Sequence, residues 1–116
     1  MNTWKAIIVA SSFLGLAGSA AAQGASPPLG NWNGSAVAFT LYKNRTYTYR
    51  DPGVTLAGTW NWNPTTQVGG VLILNYDTPT VTQTFHNKLY FSITWVNSNT
   101  ITFSAGPGQT DTLRRQ

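Results

Sequence analysis

The sequence predicts an all-β domain of about eight short antiparallel strands in up-and-down order, closed into a small barrel. Two observations carry the prediction. Leu89, Phe91, Ile93 and Trp95 fall on one face of an extended chain while Ser92 and Thr94 fall on the other. Ile101 and Phe103 resume the alternation after Asn97-Ser98-Asn99, so this stretch reads as a β-hairpin. Secondly, similar runs recur about once per dozen residues from Ser35 onward, with turn residues between them and no helical period. Consecutive hairpins favour a meander, and closure removes the open edges that Thr-rich strands offer to aggregation. A two-sheet β-sandwich is the alternative.

The first 22 residues carry a different pattern. Lys5 gives a positive start, an apolar run extends from Ala6 through Leu16, and Ala20 and Ala22 satisfy the small-residue rule of a signal peptidase site. Residues 1–22 therefore read as a signal peptide, residues 23–29, with Pro27 and Pro28, as a linker, and residues 30–116 as a single β-barrel domain. A transmembrane anchor is the weaker reading, because Ser11, Ser12, Gly18 and Ser19 interrupt the run. The expectation is a secreted or periplasmic protein, free of the membrane once cleaved.

From Ser35 to Tyr42, Val37, Phe39 and Leu41 alternate with smaller residues in a first strand, after an opening at Gly30-Asn31-Trp32-Asn33-Gly34. Lys43-Asn44-Arg45 turns the chain, and Thr46 to Arg50 returns with Tyr47 and Tyr49 on one face. Asp51-Pro52-Gly53 is a turn with a mechanism, since proline presets φ and glycine accepts left-handed backbone. Val54, Leu56, Gly58, Trp60 and Trp62 share a face of the third strand, where Gly58 marks a bulge or a close backbone approach. Val71 to Tyr76 is apolar on both faces, as in a central strand or one with an external partner. Asp77-Thr78-Pro79-Thr80 reads as a turn, Val81 to Phe85 as a fifth strand, and His86-Asn87-Lys88 as a break before the 89–104 hairpin. After Gly106-Pro107-Gly108 a closing strand runs from Thr110 to Arg114, anchored by Leu113.

Composition narrows the chemistry. There is no cysteine, so neither a disulfide nor a lipid anchor holds the exported domain. Without Lys5 the count is Lys43, Arg45, Arg50, Lys88, Arg114 and Arg115 against Asp51, Asp77 and Asp111. So small an excess is no nucleic-acid footprint. Glutamate is absent and His86 is the one histidine. A triad of His86, Asp77 or Asp111, and Ser92 or Ser104 can be written, but no nucleophile elbow supports it. We expect no enzyme activity, no catalytic residues, no metal site and no cofactor.

Gly30-Asn31-Trp32 resembles the Gly-x-Trp signature that opens lipocalins, and Gly58-Thr59-Trp60 repeats the spacing. The stretch from Ile93 to Arg115 is similar to the close of small bacterial lipocalin-like (calycin-type) exported domains. The chain is shorter than lipocalins proper and shows no C-terminal helix. The resemblance implies a lipocalin-like barrel in which Trp32 plugs one end and a basic residue of the last strand, Arg114 or Arg115, covers it.

Aromatic residues make up 13% of the chain and are the better lead to function. Phe39, Trp60, Phe91, Trp95 and Phe103 alternate inward and are assigned to packing. Tyr47, Tyr49, Trp62 and Tyr90 lie near strand ends or on otherwise polar faces, and are the candidates for binding a ligand or a partner. Two functions follow: a lipocalin-like binding module holding a small apolar or aromatic ligand, or a protein-interaction module using the 43–50 hairpin and the Val71/Ile73 face. An enclosed pocket favours the first and a packed interior the second.

Overall fold

A computed structural model describes residues 24–116; the expected signal peptide and its cleavage site lie outside the described residues. Among the described residues every regular element is a strand: β1 (Gly30–Asn33), β2 (Ala38–Leu41), β3 (Thr46–Asp51), β4 (Val54–Pro64), β5 (Gly69–Pro79), β6 (Thr84–Asn97), β7 (Thr100–Gly106) and β8 (Gln109–Arg115). Each strand pairs antiparallel with the next, and β8 returns to β1, which closes an eight-stranded up-and-down barrel. That is the shape of lipocalin-like domains.

Period-two patterning sets what lies inside. Trp32, Phe39, Leu41, Tyr47, Tyr49, Trp60, Leu72, Leu74, Phe91, Ile93, Ile101, Phe103 and Leu113 point inward and are buried. Cross-strand pairs such as Phe39–Tyr49, Trp60–Leu74, Leu72–Phe91 and Ile101–Leu113 stack these side chains in register. Their neighbours along each strand, mostly Thr, Asn and Ser, face out. This apolar-in, polar-out order is the reverse of a transmembrane barrel.

Three elements differ from the sequence reading. Gly30–Asn33 is a strand, not a preamble; four residues are too few for alternation to announce. The expected fifth and sixth strands are one 14-residue strand, β6, and His86-Asn87-Lys88 does not break it. The turn before it falls at residues 80–83 rather than 77–80, which puts Val81 at the tip, fully exposed. Polar residues misled there because this stretch has solvent on both faces. β4 pairs with β5 only as far as Thr59–Asn75, and β7 with β6 only as far as Ser104–Ser92. Residues 76–79 and 84–87 therefore pair with each other alone and extend from the barrel as a two-stranded arm, with residues 88–91, which pair only with β5, as its root.

Gly58 sits where β4 changes partner, from β3 to β5. A Cβ placed on it meets the carbonyl oxygen of Asn75, so only glycine admits this approach.

Candidate functional site

Aromatic side chains stack inside the barrel. Phe91 and Phe103 stack with ring centroids 4.5 Å apart, Tyr49 lies 5.6 Å from Phe91, and Phe39 lies 6.0 Å from Phe103. Burial pushes the Tyr47 phenol up to about 12, with help from Tyr76 nearby, and its hydroxyl donates to the Asn75 carbonyl at 3.1 Å. The Tyr49 phenol is raised further, first by burial and then by its 2.7 Å hydrogen bond to Asp51 Oδ2. Tyr47 and Tyr49 thus differ from the sequence expectation: their rings are core, 2% and 4% exposed, because they share the inward face with Leu41 and Phe39 across the β2–β3 ladder.

One end of the barrel is sealed by residues 24–29. The sequence reads them as a linker, but Ala25 and Pro28 are buried and the Ala25 amide donates to the Thr66 carbonyl at 2.9 Å. Three indoles grip this strap. Trp62 Nε1 donates to the Ala25 carbonyl at 2.7 Å, Trp95 Nε1 to Ser26 at 2.9 Å and Trp32 Nε1 to Pro28 at 2.9 Å. Half-buried Trp62 is therefore a strap anchor. Trp95, assigned to the core from sequence, lies at its margin, half-buried, with its ring edge-on to Trp32 at 5.6 Å.

The two C-terminal arginines part company at this end. Arg115, opposite Trp32 in the β1–β8 register, sets its guanidinium 4.4 Å from the Trp32 ring centroid and donates to the Leu29 and Ser98 carbonyls. Arg114, one residue earlier, faces outward from the barrel. Period two separates them.

The opposite end is tied by Asp111, which the sequence offered only as a possible triad member. Its carboxylate accepts from the amides of Ser35, Ala36 and Val37 at 3.0–3.3 Å and from the Ser35 hydroxyl at 3.0 Å, so β8 holds the β1–β2 turn. Burial opposes its charge, but these donors outweigh that and hold the carboxyl below the ordinary range. A depressed acid stabilises the fold above its unfolded-state pKa and loses that contribution as pH falls through the folded value. Asp111→Asn is therefore expected to lower the melting temperature at pH 7 by about 4–8 °C, the shift that ~1 kcal/mol makes in a domain this size. The gap to the unmodified protein should narrow as pH drops below about 4, where the aspartate is also uncharged. Melting curves across pH check this; a gap that stays constant to pH 2 would show that the charge is not what holds the turn.

The arm carries the remaining candidates. Tyr90 is 60% exposed on its outer face, opposite Ile73. Phe85 and Val81 are exposed toward the tip. His86 Nδ1 lies 2.7 Å from Asp77 Oδ1 across the outer face, with both side chains open to solvent. No serine hydroxyl of the described residues bonds His86, and Ser104 Oγ is occupied with Gly106. Among the described residues no three His, Asp, Glu or Cys side chains gather as a metal site, and no helix is long and apolar enough to cross a membrane. Of the four aromatics singled out from sequence, Tyr90 alone presents its ring freely. The arm was missed because its signal, a strand longer than its alternation, appears only once the partners are known. No family model, curated protein or solved structure matches the chain.

Proposed function

We propose that this is an exported, non-enzymatic binding module of lipocalin-like descent that recognises a protein partner with its outer surface, through the arm, and carries no ligand inside. The supporting observation is the stacking of Phe91, Phe103 and Tyr49 inside the barrel, where a carrier keeps its cargo. The arm supplies what the interior lacks. It has two unpaired strand edges, along residues 76–79 and 84–91, and exposed apolar side chains at Val81, Phe85 and Tyr90. Strand edges recognise extended chains by main-chain hydrogen bonding, and apolar side chains beside the edge add affinity.

Titration with an apolar fluorophore, N-phenyl-1-naphthylamine, separates surface from interior. The expected result is no saturable one-to-one uptake; stoichiometric uptake with a raised melting temperature would restore the carrier reading. A photo-reactive residue at Val81, used in the exported fraction of producing cells, should give an adduct that the same residue at Thr48 does not. Equal labelling at both positions would remove the arm from the proposal.

A further inference from the structure

The charges of the barrel are unevenly placed. Of the six cationic residues among those described, Lys43, Arg45, Arg50, Arg114 and Arg115 all belong to β3, β8 or the β2–β3 turn, and only Lys88 lies on the arm. Register aligns Arg114, Asn33, Ala38 and Arg50 in one outward row across β8, β1, β2 and β3. Three strand spacings separate the two arginines, roughly 14 Å. A second row, Asn31, Thr40 and Thr48, runs beside the first, with Gln116 bonded to Asn31 at its edge. Asn31, Asn33, Thr40, Thr48, Arg50 and Gln116 line a recess of about 430 Å³, and a second of about 550 Å³ continues past Asn33 to Arg114.

The side chains of Arg50, Arg114, Asn33 and Thr48 make no hydrogen bond or ion pair with other described residues. The two carboxylates nearby are already engaged. Asp111, which lines the second recess, holds the β1–β2 turn. Asp51 accepts from the Tyr49 hydroxyl and from the amides of Gly53 and Val54.

We propose that this face binds a linear acidic polysaccharide, with two of its carboxylates on Arg50 and Arg114 and the hydroxyls between them on Asn31, Asn33, Thr48 and Gln116. Guanidinium–carboxylate pairing supplies the charge recognition. The amides and hydroxyls in between match sugar hydroxyls, each able to donate and accept. The alternatives fit less well. All four strands are paired on both sides, so an acidic peptide finds no edge to extend. The one apolar side chain of the rows, the Ala38 methyl, is too small to enter a lipid surface, and they hold no ring on which a nucleobase stacks. The face lies across the barrel from the arm, so both can be occupied together.

The test is calorimetry of the exported chain with polygalacturonate, at about 50 mM and about 300 mM salt, where ionic binding weakens steeply. Binding at low salt is expected. R50Q and R114Q should each weaken it, and the double variant by about tenfold or more. K88Q, which removes one charge from the arm, should stay within about twofold, as a screened distant charge does. All three substitutions lie on the outside, so the melting temperatures of the four variants should be unchanged. The proposal falls if polygalacturonate does not bind, if neutral dextran binds equally, or if poly-L-glutamate binds as tightly. It falls too if K88Q loses as much as R50Q or R114Q.

Discussion

Trp32→Ala is expected to cost about 3–5 kcal/mol, a large part of the ~5–15 kcal/mol that holds a domain of this size. Trp32 is 1% exposed and meets several elements at once. It packs edge-on against Trp95, lies under Arg115, and donates its indole N–H to Pro28 of the strap. Its strand also forms the shortest seam of the barrel. β1 and β8 share two register pairs, Trp32–Arg115 and Asn33–Arg114, against eleven between β5 and β6. Removing the ring takes away packing, a cation–π contact worth roughly 0.5–2 kcal/mol, and a strap anchor together. Trp32→Phe keeps a ring and loses the N–H donor, so it should fall in between. Urea unfolding ranks the three proteins. A double-mutant cycle of Trp32→Leu with Arg115→Gln isolates the guanidinium contact, and the same cycle with Arg114→Gln should give coupling near zero. An unchanged midpoint for Trp32→Ala would mean that the seam closes without its tryptophan.

Gly58→Val is the second large effect, about 3 kcal/mol or more, at the upper end for overpacking. A Cβ there would meet the Asn75 carbonyl oxygen, and Tyr47 Cε1 stands 3.3 Å away. A side chain in the way can rotate; a backbone carbonyl inside a ladder cannot. β4 and β5 must separate at the corner, and Asn75 then loses its place as acceptor for the Tyr47 hydroxyl. Gly53→Ala is the control. The nearest atom to a Cβ at Gly53 is Asp51 Oδ1 at 3.6 Å, ordinary contact, so its effect should stay within about 0.5 kcal/mol. Equal melting temperatures for the two variants would show that the corner yields more easily than its geometry implies.

The fold was legible in the sequence wherever one face of a strand is buried and the other wet. Phe91 and Ile93, or Ile101 and Phe103, announce themselves by period two. It was illegible where that contrast fails. β1 is too short to alternate, and the outer half of β6 has solvent on both faces. Gly58 was readable as a close approach because few other roles suit glycine inside a strand. Candidate sites were harder to read. Tyr47 and Tyr49 looked available because their strand neighbours are polar, but polar neighbours on alternate positions are what an inward face produces. Asp111 and the strap depend on contacts between residues far apart in the chain, and nothing local in Gly24 to Leu29 signals that three indoles will hold it.

The placement of those indoles has a spectroscopic consequence. Trp32, Trp62 and Trp95 hold the strap, and Trp60 donates to the Tyr42 carbonyl in the β2–β3 turn at the same end of the barrel. Among the described residues, every tryptophan therefore reports on one pole of the molecule. Emission will shift red when the strap lifts and the indole N–H groups turn to water, even with most of the ladder intact. Fraying of the arm, which holds Tyr76 and Tyr90 but no tryptophan, will leave that emission unchanged. Intrinsic fluorescence and amide hydrogen exchange should thus give different opening energies for this one small barrel, the first reading the strap and the second the arm as well.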